Sequence, residues 1–164
     1  MGMVVYLRRL TAEQLKGIQE NPEDLERFVF SGEDGTEVID FDKAWHALHF
    51  MMTGNAGMTS HPLSVLVADD RNMIGTDELG LGGYWLLDPQ RVDQFARTLE
   101  QLSDDDLIKT FDPTRMVADN VYLSEFFVEE AEEALPYIMQ GVPRFRAFAE
   151  AASRDGDHVI GILS

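Results

Sequence analysis

The segments of this chain that read as strands stand far apart, and that spacing is its tightest constraint. "MVVYL" at 3–7 and "HVIGIL" at 158–163 are β-branched, apolar runs at opposite ends of 164 residues. Between them only "LSVLVAD" (63–69) and "YWLL" (84–87) have strand character. Strands need partners, so a sheet here must join segments remote in sequence. The order is strand, several helices, two strands, several helices, strand. That order predicts an α+β fold: a small mixed or antiparallel sheet packed against several helices, in a single compact domain over 1–164. The first and last strands are expected to pair and hold the ends together.

Helix starts are written plainly between them. Thr11 and Gln14 form a capping box ahead of 12–20. Asn21-Pro22, Asp88-Pro89 and Asp112-Pro113 each set a good N-cap before a proline suited to the first helical turn. Val92, Phe95, Ala96, Leu99 and Leu102 mark an amphipathic helix, and Ser103 with Asp106 opens a shorter one. Residues 124–140 read as helix, with Pro136 forcing a kink or fresh start. Pro143 begins a last helix with Phe145, Phe148, Ala149 and Ala152 on one face. Residues 31–37, 55–62 and 70–83 read as loops.

Composition narrows the function. There are no cysteines, which excludes disulfides, thiolate metal sites and cysteine nucleophiles. Thirty acidic residues against 13 basic ones give a net charge of −17. A field of that sign repels phosphate backbones and anionic membrane surfaces, so neither nucleic acid nor membrane is an expected partner. It suits a highly soluble protein, or one that meets a basic partner by electrostatic steering. No apolar run approaches the roughly 20 residues of a membrane span, and the N-terminus lacks a signal-peptide pattern, so a cytoplasmic location is expected.

The stretch "DFDKAWHALHFMMTG" (40–54) concentrates reactive side chains. It reads as a helix capped by Asp40 and ended at Thr53-Gly54. At about 100° per residue, Phe41, Trp45, Leu48 and Met52 form an apolar stripe. Asp42, His46, His49 and Thr53 form a polar stripe beside it, linked by spacings of three and four. A carboxylate one turn before an imidazole can fix its tautomer and raise its basicity. Two imidazoles one turn apart can share a divalent metal. Asp42, His46 and His49 are therefore the catalytic and metal-ligating candidates, with His61 able to fold back as a further ligand. Trp45 and Thr53 are candidate ligand contacts. The competing reading is structural: histidines at the boundary of a buried helix face hydrogen-bond a nearby backbone group or carboxylate, and Asp42 complements the helix dipole.

Other signals are thinner. Gly80, Gly82 and Gly83 resemble a phosphate-cradling loop, but Trp85 stands where the dinucleotide fingerprint needs a third glycine, and no P-loop pattern occurs. Tyr84 and Trp85 are candidate pocket-lining aromatics, or simply core. Glu129, Glu130, Glu132 and Glu133 read as a solvated helix face or a docking surface for basic side chains. No cofactor follows from any motif.

"YLRRLTAEQL", "IDFDKAWHALHFMMTG", "PLS", "LGGYWLLDPQRV" and "DGDHVIGIL" occur here in order. Together they resemble the YfbM-like family, the bacterial domain of unknown function 1877, over essentially the whole chain. The resemblance implies a compact α+β fold and no particular activity or cofactor. It marks Asp42, Lys43, Trp45, His46 and His49 as family-pattern positions, while Gly80–Gly83 is richer in glycine than that pattern. Two functions stay open. One is an acidic binding module, such as an inhibitor or immunity-type protein for a basic partner. The other is a metal-dependent or small-ligand-binding enzyme built on Asp42, His46 and His49.

Overall fold

The computed structural model describes residues 2–32, 36–75 and 83–164. Five antiparallel strands form one sheet in the order β2-β1-β5-β4-β3: β1 Val5–Leu10, β2 Ile39–Asp40, β3 Met73–Ile74, β4 Tyr84–Leu87 and β5 His158–Leu163. The terminal strands pair along their full length, from Val5 opposite Leu163 to Leu10 opposite His158. Val4 and Ser164 extend the ladder with two more backbone bonds. The fold is α+β, as the strand spacing predicts.

Both faces of the sheet are covered. Val5, Leu7, Trp85, Leu87 and Val159 face the main core, under α3 (Trp45–Thr53), α4 (Pro89–Gln101) and α9 (Val142–Asp155). Ile160 and Ile162 face a second core formed with α1 (Ala12–Glu20) and α2 (Leu25–Ser31). Double coverage explains why β5 is a continuous apolar run rather than an alternating one. On the second face Arg8 is 1% exposed and donates to the Phe28 and Val29 carbonyls near the end of α2. At the sheet centre Trp85 is fully buried across β5. A Cβ on Gly161 would lie 2.3 Å from the indole, so only glycine admits that ring.

The remaining helices are α5 (Asp104–Ile108), α6 (Pro113–Ala118), α7 (Ser124–Glu130) and α8 (Leu135–Met139). Their starts follow the caps read from the sequence. Thr11 and Gln14 complete a reciprocal box, as do Ser103 and Asp106. Asp88 and Asp112 accept from the Arg91 and Arg115 amides. Asn21 departs from this pattern: its side chain bonds back to the Gly17 carbonyl and closes α1 instead.

Three expectations are corrected. Residues 63–69 are no strand: Leu63, Val65 and Leu66 are buried within a turning segment. Its carbonyls are taken by side chains rather than a ladder, Val65 by the Trp85 indole and Ser64 by Arg91. The 70–83 loop contains β3, whose two residues pair with β4. The 124–140 helix breaks once more than expected, at Ala131, which has a φ of +51°, ahead of the fresh start at Pro136 in the first turn of α8.

Candidate functional site

The helix of the 40–54 stretch begins later than its periodicity suggests. A 3₁₀ turn spans Asp42–Ala44, and α3 starts at Trp45. Asp42 has a φ of +47°, with its amide bonded to the Asp40 carboxylate at 3.0 Å. That geometry takes Asp42 off the wheel that would set it over His46. Its carboxylate accepts instead from the Tyr137 hydroxyl of α8 at 2.9 Å, and the Tyr137 oxygen accepts from the Lys43 amide at 3.2 Å. Burial, then the Asp42 carboxylate, pushes the Tyr137 phenol up to about 12.

His46 and His49 do share a face, but their rings are occupied. The His46 Nδ1 accepts from the Tyr122 amide at 2.9 Å, so the ring proton is on Nε2, which donates to the Ala56 carbonyl at 2.7 Å. Burial lowers the His46 pKa, partly offset by that carbonyl. His49 is fully buried and its Nε2 lies 3.1 Å from the Gly57 carbonyl. Burial drives its pKa down to about 4, with the nearby His46 and His61 adding to the fall. Its Nδ1 has no hydrogen-bond partner among the described residues. Together the two imidazoles staple the 55–58 segment to α3. Thr53 closes the helix by donating to the His49 carbonyl and accepting from the Asn55 amide. His61 turns its Nδ1 to the Leu63 amide.

The sequence candidates therefore separate. Asp42 joins α8, whereas His46 and His49 hold a loop. Among the described residues no three His, Asp or Glu side chains gather in a way that could hold a metal ion. Trp45 stacks on His46 at 4.6 Å and donates to the Met3 carbonyl. Tyr84 and Trp85 alternate to opposite faces of the sheet, in the second and main cores respectively. Gly80 and Gly82 lie outside the described residues; Gly83 has a φ of +62°.

A different site emerges where the turn before α3 meets α7 and α8. An open groove of about 670 Å³ is lined by Tyr122, Phe126, Phe127 and Tyr137, with Lys43 and Glu130 among its walls. Three of the non-glycine residues with positive φ adjoin it: Asp42, Leu123 and Ala131. Such conformations cost on the order of 1–3 kcal/mol each and collect at functional places. Phe126 is 56% exposed on α7, with Glu129 and Glu130 on its own face, and Val128 points about 160° away from it. Glu125, Glu129, Glu130, Glu132 and Glu133 are exposed and without an ion pair among the described residues. The sequence signal for this site is the pair Phe126-Phe127. Adjacent residues on a helix point about 100° apart, so both cannot face one core.

In a second concavity, about 650 Å³ between α4 and α9, the arginines that line it are ion-paired. Arg97 pairs with Asp93 at 2.9 Å, and Arg146 bonds Asp104 at 3.0 Å and the Leu99 carbonyl at 2.6 Å.

Comparison with known proteins bears on the whole chain. Residues 1–162 match the model of the family described as a domain of unknown function, DUF1877. The chain is 26% identical over 168 residues to Protein YfbM of Escherichia coli (strain K12), covering 99% of each. The crystal structure of a protein of unknown function, YfbM from Escherichia coli, superposes with a TM-score of 0.69 at 20% identity, covering 98% of this chain and 99% of that one. That structure supports the fold alone. The family model covers nearly every residue, and the chain belongs to the DUF1877 family.

Proposed function

We propose that the protein is an acidic binding module whose partner presents a basic segment to the α7 face. The observation that carries this reading is the surface of α7 and the turn after it. Exposed Phe126 shares a face of α7 with Glu129 and Glu130, three and four residues on, and these carboxylates have no cationic partner among the described residues. An exposed aromatic beside unpaired charge is the anatomy of a protein contact, with the aromatic as anchor and charge setting approach and register. The net charge of −17 adds long-range attraction for a basic surface. The enzyme reading has less behind it, because Asp42 turns to Tyr137 and away from His46 and His49, whose Nε2 atoms bond loop carbonyls.

The test is titration with a synthetic peptide in which Lys and Arg alternate with Leu, over a salt series. Binding is expected to weaken steeply with salt, and Phe126→Asp is expected to weaken it about tenfold, the scale of an interface hot spot. That variant adds negative charge, so electrostatics alone would strengthen binding. Salt-independent binding, or an unaffected Phe126→Asp variant, would overturn the proposal.

A further inference from the structure

Resting on the basic-partner reading, we infer that the groove beside α7 is a receptor for one cationic side chain, a Lys or Arg of the partner seated among Tyr122, Phe126 and Tyr137 and facing Glu130.

Three observations carry this. First, the lining is aromatic rather than aliphatic: three of the rings are tyrosine or exposed phenylalanine, whose π faces attract cations within roughly 6 Å. Second, the fixed negative charge is unspent. Glu130 makes no ion pair among the described residues, and Asp42, bonded behind Tyr137, makes none either. Tyr137 donates a hydrogen bond to Asp42 and accepts one from the Lys43 amide, so its ring is held in place at the groove wall.

Third, the groove already carries a cationic side chain of its own. The Lys43 stem runs along Gly2, so closely that a Cβ there would lie 2.3 Å from its Cε and 3.0 Å from its Cδ. Lys43 makes no ion pair among the described residues. An alkyl chain with a terminal cation thus lies against the same wall that the partner's side chain would use. Lys43 then acts as a resident competitor, and its ammonium repels an incoming cation. The opposite use of Lys43, as an anchor for an anionic group, makes the opposite prediction for its removal.

The experiment uses three peptides of one sequence, basic outside a single position that carries Arg, norleucine or Glu. Binding is measured by calorimetry, with ring resonances of Tyr122, Phe126 and Tyr137 followed by NMR. The Arg peptide is expected to bind roughly fivefold tighter than the norleucine peptide and to shift those rings. Glu130→Gln should erase that preference, and Lys43→Met should widen it, with melting temperatures unchanged. Equal binding of the Arg and norleucine peptides would overturn the receptor while leaving the basic-partner reading intact. So would binding of all three without movement of the ring resonances. A Glu peptide that binds best and is lost in Lys43→Met would replace the cation site by an anion site. Failure of every peptide to bind would overturn both readings.

Discussion

His49 shows how little of a residue's role its chemistry alone decides. Its ring is buried and neutral, with a pKa near 4 where an unfolded chain has about 6.5. The unfolded state therefore takes up a proton first as the medium is acidified. Stability is full above about pH 6.5 and is lost progressively between there and about pH 4, by about 3 kcal/mol if the whole shift is realised. His46, also lowered, adds to the same fall. Buried Asp69 titrates outside this window. Burial raises its pKa, but bonds from Arg71, Asn72 and Arg91 outweigh that and hold it at about 2, so its contribution is lost only below about pH 3.8. Melting temperature measured from pH 7.5 to 4.5 should drop in the wild type. A His49→Gln variant, less stable at pH 7.5, should show a shallower drop. An identical pH slope in both would remove His49 as the cause.

At the scale of elements, the break between α7 and α8 offers a direct test. Ala131 has φ +51° and ψ −129°, a region that glycine occupies freely and alanine does not. It is exposed, so no packing is lost with its methyl group. Ala131→Gly should stabilise the protein by about 1 kcal/mol, seen as a rise in urea midpoint at unchanged slope. A lower midpoint would mean that the methyl group holds the turn in a way its exposure hides.

The elements that sequence reasoning found have local causes. The caps at Thr11, Asp88, Ser103 and Asp112 act over three residues, and β1 and β5 announce themselves by β-branched runs. Those it missed depend on distant partners. Residues 63–69 are apolar because Trp85 and Arg91 bury them, and burial in a turn leaves the same composition as burial in a strand. β2 and β3 are two-residue edges whose only signature is the neighbour they pair with. Asp42 left its expected place through one backbone angle. The groove was not legible because three remote segments build it, and its one local sign, the adjacent Phe126-Phe127 on α7, says nothing of the other two.

For the whole molecule, charge is the dominant fact. A net −17 repels itself within a compact body, and salt screens that repulsion over about 10 Å at 0.1 M. Melting temperature should rise by several degrees between 10 mM and 500 mM NaCl. The five exposed carboxylates between Glu125 and Glu133 are one source of that repulsion, so Glu129→Gln/Glu132→Gln should reduce the salt response. A salt-independent melting temperature would show that this repulsion contributes little to stability.

The pairing of the first and last strands has a mechanical consequence. Val4 and Ser164 are hydrogen-bonded neighbours, and β1 and β5 run away from them side by side. A load applied to the two ends pulls across the ladder and meets its bonds one pair at a time, as a zipper does. The same ladder pulled along its length would have to break every pair at once. The sheet that closes the fold is thus weakest along the axis joining its own ends. The covering helices, rather than the strands, are what would resist such a pull.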